Sequence, residues 1–219
     1  QAGEDYWWHH MTDRHEDEGP EPIVIRAATH DDLTGLSALL ATAFDEDPIA
    51  RWLMPDGEQR DAALQIFFGL IAREICVPQG LTYVTDNLGA AALWEPPLGE
   101  WTAEPDIPES AWIDIFGQDA YSRFVVFADL MDMHRPDERH VYLSLIGSLP
   151  EFRGLGLASA LLDSGLMRWD REGVPTNLMS TNRANLPFYE SRGYQVTAEV
   201  ALPDGGPHLW EMWRDAVPS

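Results

Sequence analysis

The chain has 219 residues, of which 45% are hydrophobic, and it carries a formal net charge of −23. This length and apolar content predict one folded domain over residues 22–219, preceded by an acidic tail over residues 1–21. Because so large a negative charge repels phosphate backbones and anionic lipids, nucleic acid and membrane surfaces are excluded as partners. The charge would favour a protonated amine as a partner, or it reflects only adaptation for solubility, and no apolar run reaches the length of a membrane-spanning helix.

Cysteine usage argues against disulfides and against a metal site. The single cysteine, Cys76, lies within an apolar helical pattern. One thiol cannot close an internal disulfide, and it gives no basis for a metal cluster. We interpret Cys76 as a buried residue of a cytoplasmic protein that has no metal site.

Apolar residues at helical spacing and short apolar runs between turn residues predict a mixture of helices and strands. The acidic triplet Asp45, Glu46 and Asp47 breaks this pattern, and it fits either a wall that attracts amines or a solvent-exposed cap. The aromatic-rich helical stretch 111–133 fits either core packing or an apolar lid over an acceptor site. The predicted strands are 22–28, 81–85, 90–94, 195–202 and 208–214, and the predicted helices are 32–43, 49–54, 59–77 and 111–133.

A glycine-rich turn joins a strand that starts at Val141 to a helical pattern over 159–169. A helix N-terminus has unpaired N–H groups and a partial positive charge, and glycines let the backbone approach an anion there. The dinucleotide fingerprint G-x-G-x-x-G is incomplete, because Ser159 stands at its third glycine. The triphosphate loop is excluded because the chain has no lysine. What remains is the pattern R-x-x-G-x-A, which starts at Arg153 and ends at Ala158.

A second motif, over 182–194, follows about 30 residues later. It has the form of a short helix that carries Tyr189 and is closed by Gly193. Asn185 is the predicted N-cap of this helix, and Pro187 suits its first turn. Two motifs in this order are far more specific than either of them alone.

Together the two motifs resemble those of the GNAT superfamily of N-acyltransferases, in which the glycine-rich loop holds the pyrophosphate of acyl-CoA. The resemblance implies an α/β fold of the α+β kind, a single domain whose mixed, splayed sheet carries helices on both faces. It implies acetyl-CoA as the cofactor, with the pantetheine arm paired to the splayed strand. The cofactor-binding residues that it implies are Ile146, Gly147, Ser148, Arg153, Gly154, Leu155, Gly156, Leu157, Ala158, Asn182, Asn185, Phe188 and Tyr189.

Two positions depart from the pattern of that superfamily. Ser148 stands where the family usually has valine, a change that keeps the backbone contacts. Leu155 stands where many relatives carry a basic residue, so one positive contact to the phosphates is missing. The splay is expected between the strands that begin at Val141 and Gln195.

Acetylation of an amine from a thioester needs a neutral amine, a stabilised carbonyl oxygen and a stabilised leaving thiolate. The resemblance implies that Tyr189 lies near the cofactor sulfur and donates a proton there, with simple packing as the alternative role. A backbone N–H of the central strand would stabilise the oxygen. For the base, which acts directly or through water, Glu95 and Asp47 rank ahead of Asp45, Glu46, His140, Tyr142 and Glu211.

The sequence therefore predicts an acetyl-CoA-dependent N-acetyltransferase that acts on a small-molecule amine by direct attack. A closer resemblance to antibiotic-acetylating members of the superfamily makes an antibiotic or aminonucleoside a candidate acceptor, and antibiotic resistance a candidate role. That resemblance is strong over 141–194 and loose between 55 and 135. A protein N-terminal or lysine acetyltransferase and a non-catalytic acyl-CoA-binding protein are the alternatives, and homodimer formation stays open.

Overall fold

A seven-stranded mixed sheet is the centre of the fold in the residues that the computed structural model describes, 22–102 and 105–218. The strands are β1 Ile25–Ala27, β2 Thr82–Thr85, β3 Ala90–Glu95, β4 Val141–Ser148, β5 Thr176–Ser180, β6 Gln195–Ala201 and β7 His208–Arg214. Their order across the sheet is β1-β2-β3-β4-β5-β7-β6. All neighbouring strands are antiparallel except β4 and β5, which are parallel and therefore need a crossover connection.

Helices cover both faces of this sheet, which confirms the predicted fold class. The helix α6 is the crossover between β4 and β5, and it packs in a core cluster with Trp94 and Leu143. On the other face, α1, α3 and α5 pack around Leu40, Phe68 and Leu93. The helices are α1 Leu33–Phe44, α2 Pro48–Leu53, α3 Gly57–Leu70, α4 Glu109–Phe116, α5 Gln118–His134, α6 Leu157–Glu172 and α7 Leu186–Glu190.

Local signals explain where three of these helices begin. The Asp47 carboxylate caps α2 by accepting a hydrogen bond from the N–H of Ile49 at 2.8 Å. Asp56 caps α3 in the same way, with the N–H of Gln59 at 3.2 Å. Gly156 precedes α6 with φ +80°, a conformation that glycine adopts without strain. None of the helices in the described ranges combines the length and the apolar character needed to cross a membrane.

Three elements differ from their prediction. The helix predicted over 59–77 passes from α3 into a π-helical segment, Ile71–Cys76. The stretch 111–133 is two helices, because Gly117 with φ +75° separates α4 from α5. The sequence does not predict β5, which carries polar side chains such as the buried Asn177 in place of an apolar run.

β4 and β5 diverge shortly after they meet. Their register ends at the second residue pair, Tyr142 with Asn177, while β4 continues to Ser148. The prediction that the splay lies opposite the strand beginning at Gln195 is wrong. That strand is β6, which pairs with β7 at the far edge of the sheet, so the strand that leaves β4 is β5. The divergence leaves the β5-facing edge of β4 open over most of its length.

Candidate active site

A cavity of about 300 Å³ opens where β4 and β5 diverge. Its walls are the two strands, the start of α7, and the helices α1, α2, α3 and α5. Polar side chains gather on the strand side, and an apolar lobe extends among the helices. The polar and ionisable lining residues are Asp47, Asp132, Arg135, Tyr142, Ser144, Ser180, Thr181, Asn185 and Tyr189, and the aromatic lining residues of the lobe are Phe44, Phe67, Phe68, Phe116, Phe124 and Phe127.

The apolar lobe is built from aromatic rings that also pack against each other. The Phe116 and Phe124 ring centroids are 5.2 Å apart, and Phe67 lies 5.3 Å and 5.9 Å from them. Trp112 stacks on the same group, with its ring centroid 5.4 Å from that of Phe124. The aromatic stretch 111–133 therefore contributes both to packing and to the cavity wall, and the two interpretations do not exclude each other.

The glycine-rich loop before α6 presents backbone to open space. Gly154 and Gly156 both have φ +80°, and a Cβ placed on either would meet no atom within 4 Å. Leu155, which lies between the two glycines, is 62% exposed, and Arg153, which precedes them, is exposed as well. The loop ends at the first turn of α6, whose N–H groups have no partners within the helix. Such an arrangement can hold an anion, and Leu157 and Ala158 form that first turn.

Three predicted cofactor residues lie on the open part of β4. Ile146, Gly147 and Ser148 come after the divergence, and no residue of β5 pairs with them. A Cβ at Gly147 would lie 3.0 Å from the Ala43 side chain, so the strand passes close to α1 here. An extended ligand can bind such an edge as a neighbouring strand would.

The second sequence motif forms a 3-10 turn followed by α7. The Asn182 side chain accepts a hydrogen bond from the N–H of Ala184 at 3.0 Å. Asn185 occupies the predicted N-cap position of α7, but its side chain makes no capping hydrogen bond and lines the cavity instead. Phe188 lies next to Tyr189, with ring centroids 5.2 Å apart.

Tyr189 is 7% exposed and reaches the cavity from α7. Its ring lies 5.9 Å from that of Tyr194, and its hydroxyl forms no hydrogen bond with any other residue in the described ranges. Burial raises the pKa of this phenol, and the nearby charge of Asp47 raises it further. Tyr189 is therefore protonated at neutral pH and has a hydroxyl free to donate.

Asp47 lines the cavity but has both carboxylate oxygens engaged. Its Oδ1 accepts from the N–H of Ile49 at 2.8 Å, and its Oδ2 accepts from the hydroxyl of Thr181 at 2.6 Å. Burial raises the pKa of this carboxyl, although both hydrogen bonds act in the opposite direction. Asp47 thus connects the start of α2 to the end of β5.

The other two members of the acidic triplet form ion pairs. The Asp45 carboxylate accepts from the guanidinium of Arg60 at 2.8 Å, and Glu46 pairs with Arg51. Neither of these two carboxylates lines the cavity. Of the two interpretations of the triplet, a wall that faces the cavity applies only to Asp47.

Glu95 lies behind the cavity wall and does not line it. Arg135 donates to Glu95 Oε2 at 3.5 Å. Burial raises the pKa of Glu95, and the nearby Arg135 charge opposes that increase. Arg135 does line the cavity, so Glu95 contacts the cavity wall through this guanidinium.

Comparison with known proteins identifies the type of domain. Residues 87–194, which include the glycine-rich loop and Tyr189, match the acetyltransferase (GNAT) family. The chain carries a GNAT-family acetyltransferase domain. Enzymes of this family take the acetyl group from acetyl-CoA, so the predicted enzyme class and cofactor are confirmed.

Solved structures share the fold of this acetyltransferase. A histone acetyltransferase HPA2 and related acetyltransferase from Corynebacterium glutamicum has a TM-score of 0.70 at 23% identity, over 90% of this chain and 97% of the other. Arylalkylamine N-acetyltransferase 2 from Aedes aegypti has a TM-score of 0.62 at 11% identity, over 89% and 99%. A mutant of agmatine N-acetyltransferase has a TM-score of 0.60 at 14% identity, over 89% and 100%.

The residues of this acetyltransferase fit an acyl-CoA. The loop at Gly154 and Gly156 has open space in front of a helix N-terminus, which suits phosphates. The open edge of β4 suits the amide-bearing pantetheine arm, and the cavity continues from that edge to Tyr189. In the described ranges, no group of three or more His, Cys, Asp or Glu side chains could hold a metal ion.

Five polar cavity residues of the acetyltransferase were not predicted. They are Asp132 and Arg135 at the end of α5, Ser144 on β4, Ser180 at the end of β5 and Thr181 after it. Asp132 and Arg135 lie one turn apart on a helix, and that spacing could have suggested a shared face. The sequence contains no comparable signal for Ser144, because its direction depends on an irregularity in the β3–β4 register.

Proposed function

We propose that this acetyltransferase moves an acetyl group from acetyl-CoA to the amine of a small molecule by direct attack of the amine. The observation that carries the proposal is one cavity that extends from the open edge of β4, past Tyr189, into the apolar lobe. A donor along β4 and an acceptor in the lobe would meet beside Tyr189. Cys76, the only thiol in the sequence, is fully buried with a raised pKa, so it does not suit a covalent acetyl intermediate.

The donor would bind along the glycine-rich loop and the open edge of β4. Backbone groups of Ile146, Gly147 and Ser148 would pair with the pantetheine arm. The residues from Arg153 to Ala158 would hold the pyrophosphate, and Asn182, Asn185 and Phe188 would border the thiol end. When bound, acetyl-CoA supplies an acetyl group that is activated by a thiol leaving group.

The chemistry assigned to the protein requires few groups. Tyr189 would donate its proton to the leaving sulfur, a role supported by its free hydroxyl and its place in the cavity wall. An N–H on the open edge of β4 would stabilise the carbonyl oxygen. Glu95 is the preferred base and Asp47 the second candidate, because Asp47 already uses both oxygens in hydrogen bonds.

The lining of the lobe favours a small acceptor over a protein. It is apolar and dominated by aromatic rings such as Phe67, Phe116 and Phe124, which suit an apolar small molecule better than a polar peptide backbone. Two structural relatives are described as acting on small amines, an arylalkylamine and agmatine, and a third is described as a histone acetyltransferase. The motifs over 143–158 and 185–190 also resemble puromycin N-acetyltransferase, so an aminonucleoside or other antibiotic is a specific acceptor to test.

An acceptor screen tests the proposal. Thiol release from acetyl-CoA is followed with arylalkylamines, polyamines, aminonucleosides and short peptides that present either a free N-terminus or a lysine. We expect release with one or more small amines and none with the peptides. Release with peptides alone would favour the protein acetyltransferase. Binding of acetyl-CoA without release across the whole panel would favour the non-catalytic alternative.

Location, assembly and biological role stay predictions. A cytoplasmic location rests on the presence of one cysteine only, Cys76, in the sequence. A homodimer and a role in antibiotic resistance rest on the family resemblance alone. Sedimentation of the purified protein and growth of an expressing strain on antibiotics would test these two.

A further inference from the structure

One face of the helix α5 forms a wall of the cavity. Contacts other than the cavity lining fix the direction of its two ends: the Phe124 ring lies 5.2 Å from that of Phe116, and the Arg135 guanidinium lies 4.9 Å from the centre of the Tyr142 ring. Because Phe124 and Arg135 are about three turns apart, their side chains leave the helix in nearly the same direction. The lining residues of α5 recur at helical spacing along this one face, and they are Phe124, Phe127, Ala128, Met131, Asp132 and Arg135.

Asp132 lies at the edge of this face, where the cavity meets solvent. At about 100° per residue, its side chain leaves the helix about 60° from that of Arg135, and the residue is exposed. Asp129, one turn earlier, is about 120° from Arg135, is also exposed, and does not line the cavity. The carboxylate of Asp132 therefore borders the mouth of the cavity, whereas that of Asp129 faces solvent alone.

The charge of Asp132 has no partner within the protein. Its carboxylate forms no hydrogen bond and no ion pair in the described ranges. Arg135, the cation on the same face, is directed to Glu95 at 3.5 Å and to the Tyr142 ring instead. Asp132 also lies in the last turn of α5, where the helix dipole opposes a negative charge. Local structure does not stabilise this charge, and such unfavourable placements are expected at functional sites, where a ligand supplies the partner.

Asp132 gives the cavity lining an unbalanced negative charge. Of the other ionisable groups that line the cavity, Arg135 is balanced by Glu95, which lies behind the wall. Asp47 already accepts hydrogen bonds at both of its carboxylate oxygens. The two tyrosines of the lining are neutral, because burial raises the pKa of each phenol. Asp132 is therefore the carboxylate of the lining that remains available to a cationic ligand.

The rest of the same helical face is apolar. Phe124, Phe127 and Met131 extend the apolar lobe along α5 toward Asp132. Asp132 follows Phe124 by eight residues, so the ring and the carboxylate are about 12 Å apart along the helix axis at about 1.5 Å per residue. A molecule that fills the cavity would therefore contact apolar side chains along α5 and meet one carboxylate at the mouth.

We propose that Asp132 binds a second cationic group of the acceptor. This inference rests on the proposed function and specifies its substrate class, an amine with an apolar body and a positive charge in addition to the amine that is acetylated. The reacting amine would attack as the neutral base beside Tyr189, while the other group stays charged at Asp132. Asp132 is thus a specificity-determining residue and takes no part in proton transfer.

The test compares pairs of acceptors that differ by one charge. Thiol release from acetyl-CoA is measured with the linear α,ω-diamines from diaminobutane to diaminodecane and with the monoamines of the same lengths. We expect the kcat/KM of the wild type to be at least about tenfold higher for the best diamine than for its monoamine, which is the scale of a hydrogen bond to a charged group. The apolar lobe alone would favour the monoamine, so this preference reports the charge. Added salt should reduce the preference, because salt screens an ion pair at an exposed site.

Three variants assign the preference to one carboxylate. Asp132→Asn should lower kcat/KM for the diamine about tenfold, chiefly by raising KM, and should change the value for the monoamine by less than about twofold. Asp129→Asn removes the same charge from the same helix outside the lining face, and it should behave as the wild type. Asp132→Arg reverses the charge, so it should disfavour diamines and favour ω-amino acids of the same length. The Kd of acetyl-CoA should be unchanged in all three variants.

The outcomes keep the two proposals apart. A wild-type protein that releases no thiol with any amine contradicts the proposed function and removes the basis of the inference. An active wild type that does not prefer diamines, or that keeps its preference in Asp132→Asn, contradicts the role of Asp132 alone. An equal loss of preference in Asp129→Asn would also overturn that role, since it would assign the effect to the overall charge of the protein.

Discussion

The hydroxyl of Tyr189 offers the sharpest test of the proposed chemistry. Tyr189→Phe keeps the ring and its contacts at 5.2 Å and 5.9 Å with Phe188 and Tyr194. The hydroxyl makes no hydrogen bond in the described ranges, so its removal leaves no partner unsatisfied. The free energy of unfolding should change by less than about 1 kcal/mol, the net value of a typical hydrogen bond.

Turnover should respond differently from stability. Proton donation by Tyr189 acts only as negative charge builds on sulfur, so its loss lowers kcat and leaves ground-state binding intact. General acid catalysis contributes about 10²–10⁴-fold. A thiolate already leaves readily, so we expect a loss at or below the low end of that range, about 10- to 100-fold, equivalent to roughly 1.4–2.7 kcal/mol in the barrier.

The assay measures kcat and the Kd of acetyl-CoA for wild type, Tyr189→Phe and Tyr194→Phe on one acceptor. Tyr194 is a matched control because its ring is adjacent and 2% exposed, yet it does not line the cavity. Its variant should keep kcat. Equal kcat in Tyr189→Phe, with a pre-steady-state burst absent so that chemistry limits the rate, would refute the role of the phenol.

Three further predictions concern the loop, the thiol and an ion pair. Gly156→Asp should abolish the rise in Tm that acetyl-CoA causes. The control Gly173→Asp introduces a similar left-handed strain at the end of α6 and should keep that rise. A rise in Tm that persists in Gly156→Asp would contradict phosphate binding by the loop. Cys76→Ala should retain turnover, and an acetylated cysteine detected by mass spectrometry would contradict direct transfer. Asp170→Asn should lower the free energy of unfolding by about 2–3 kcal/mol, because Asp170 accepts two 2.8 Å hydrogen bonds from Arg214. The Arg214 guanidinium lowers the pKa of Asp170, so this difference in urea unfolding should be present at neutral pH and shrink as the pH falls through that lowered pKa.

The fold was predictable where local signals and tertiary packing agree. The β6–β7 hairpin follows from its turn residues, and the loop before α6 follows from Gly154 and Gly156. The strand β5 was missed because its buried side chains include Thr176 and Asn177. Asn177 is tolerated there because it donates to the Met212 carbonyl at 2.9 Å, a partner that only the folded sheet supplies.

The candidate site was predictable in its residue types and not in its connections. Glu95 and Asp47 could be named because Glu95 ends β3 and Asp47 stands just before α2, each at a break in the pattern. The contact of Asp47 with Thr181 joins residues 134 positions apart, and no local pattern encodes it. The position of Ser144 depends on a register shift of one residue, which reverses the face of a strand without any change in composition.

The two carboxylates differ in a way that stability can resolve. Asp47 caps α2, so Asp47→Ala should lower the free energy of unfolding by about 1–2 kcal/mol and the Tm by a few degrees. Glu95 caps no helix, and Glu95→Gln keeps the shape of the side chain and an oxygen that can accept from Arg135.

Asp47→Ser therefore separates capping from catalysis, because a serine oxygen can still accept from the N–H of Ile49 while the charge is gone. If Asp47 acts through structure, this variant should recover the Tm and most of kcat that Asp47→Ala loses. If Asp47 is the base, Asp47→Ser should have a normal Tm and as little activity as Asp47→Ala. The second result would make Asp47 the proton acceptor, and it would leave Glu95 as the partner that holds Arg135 against the cavity wall.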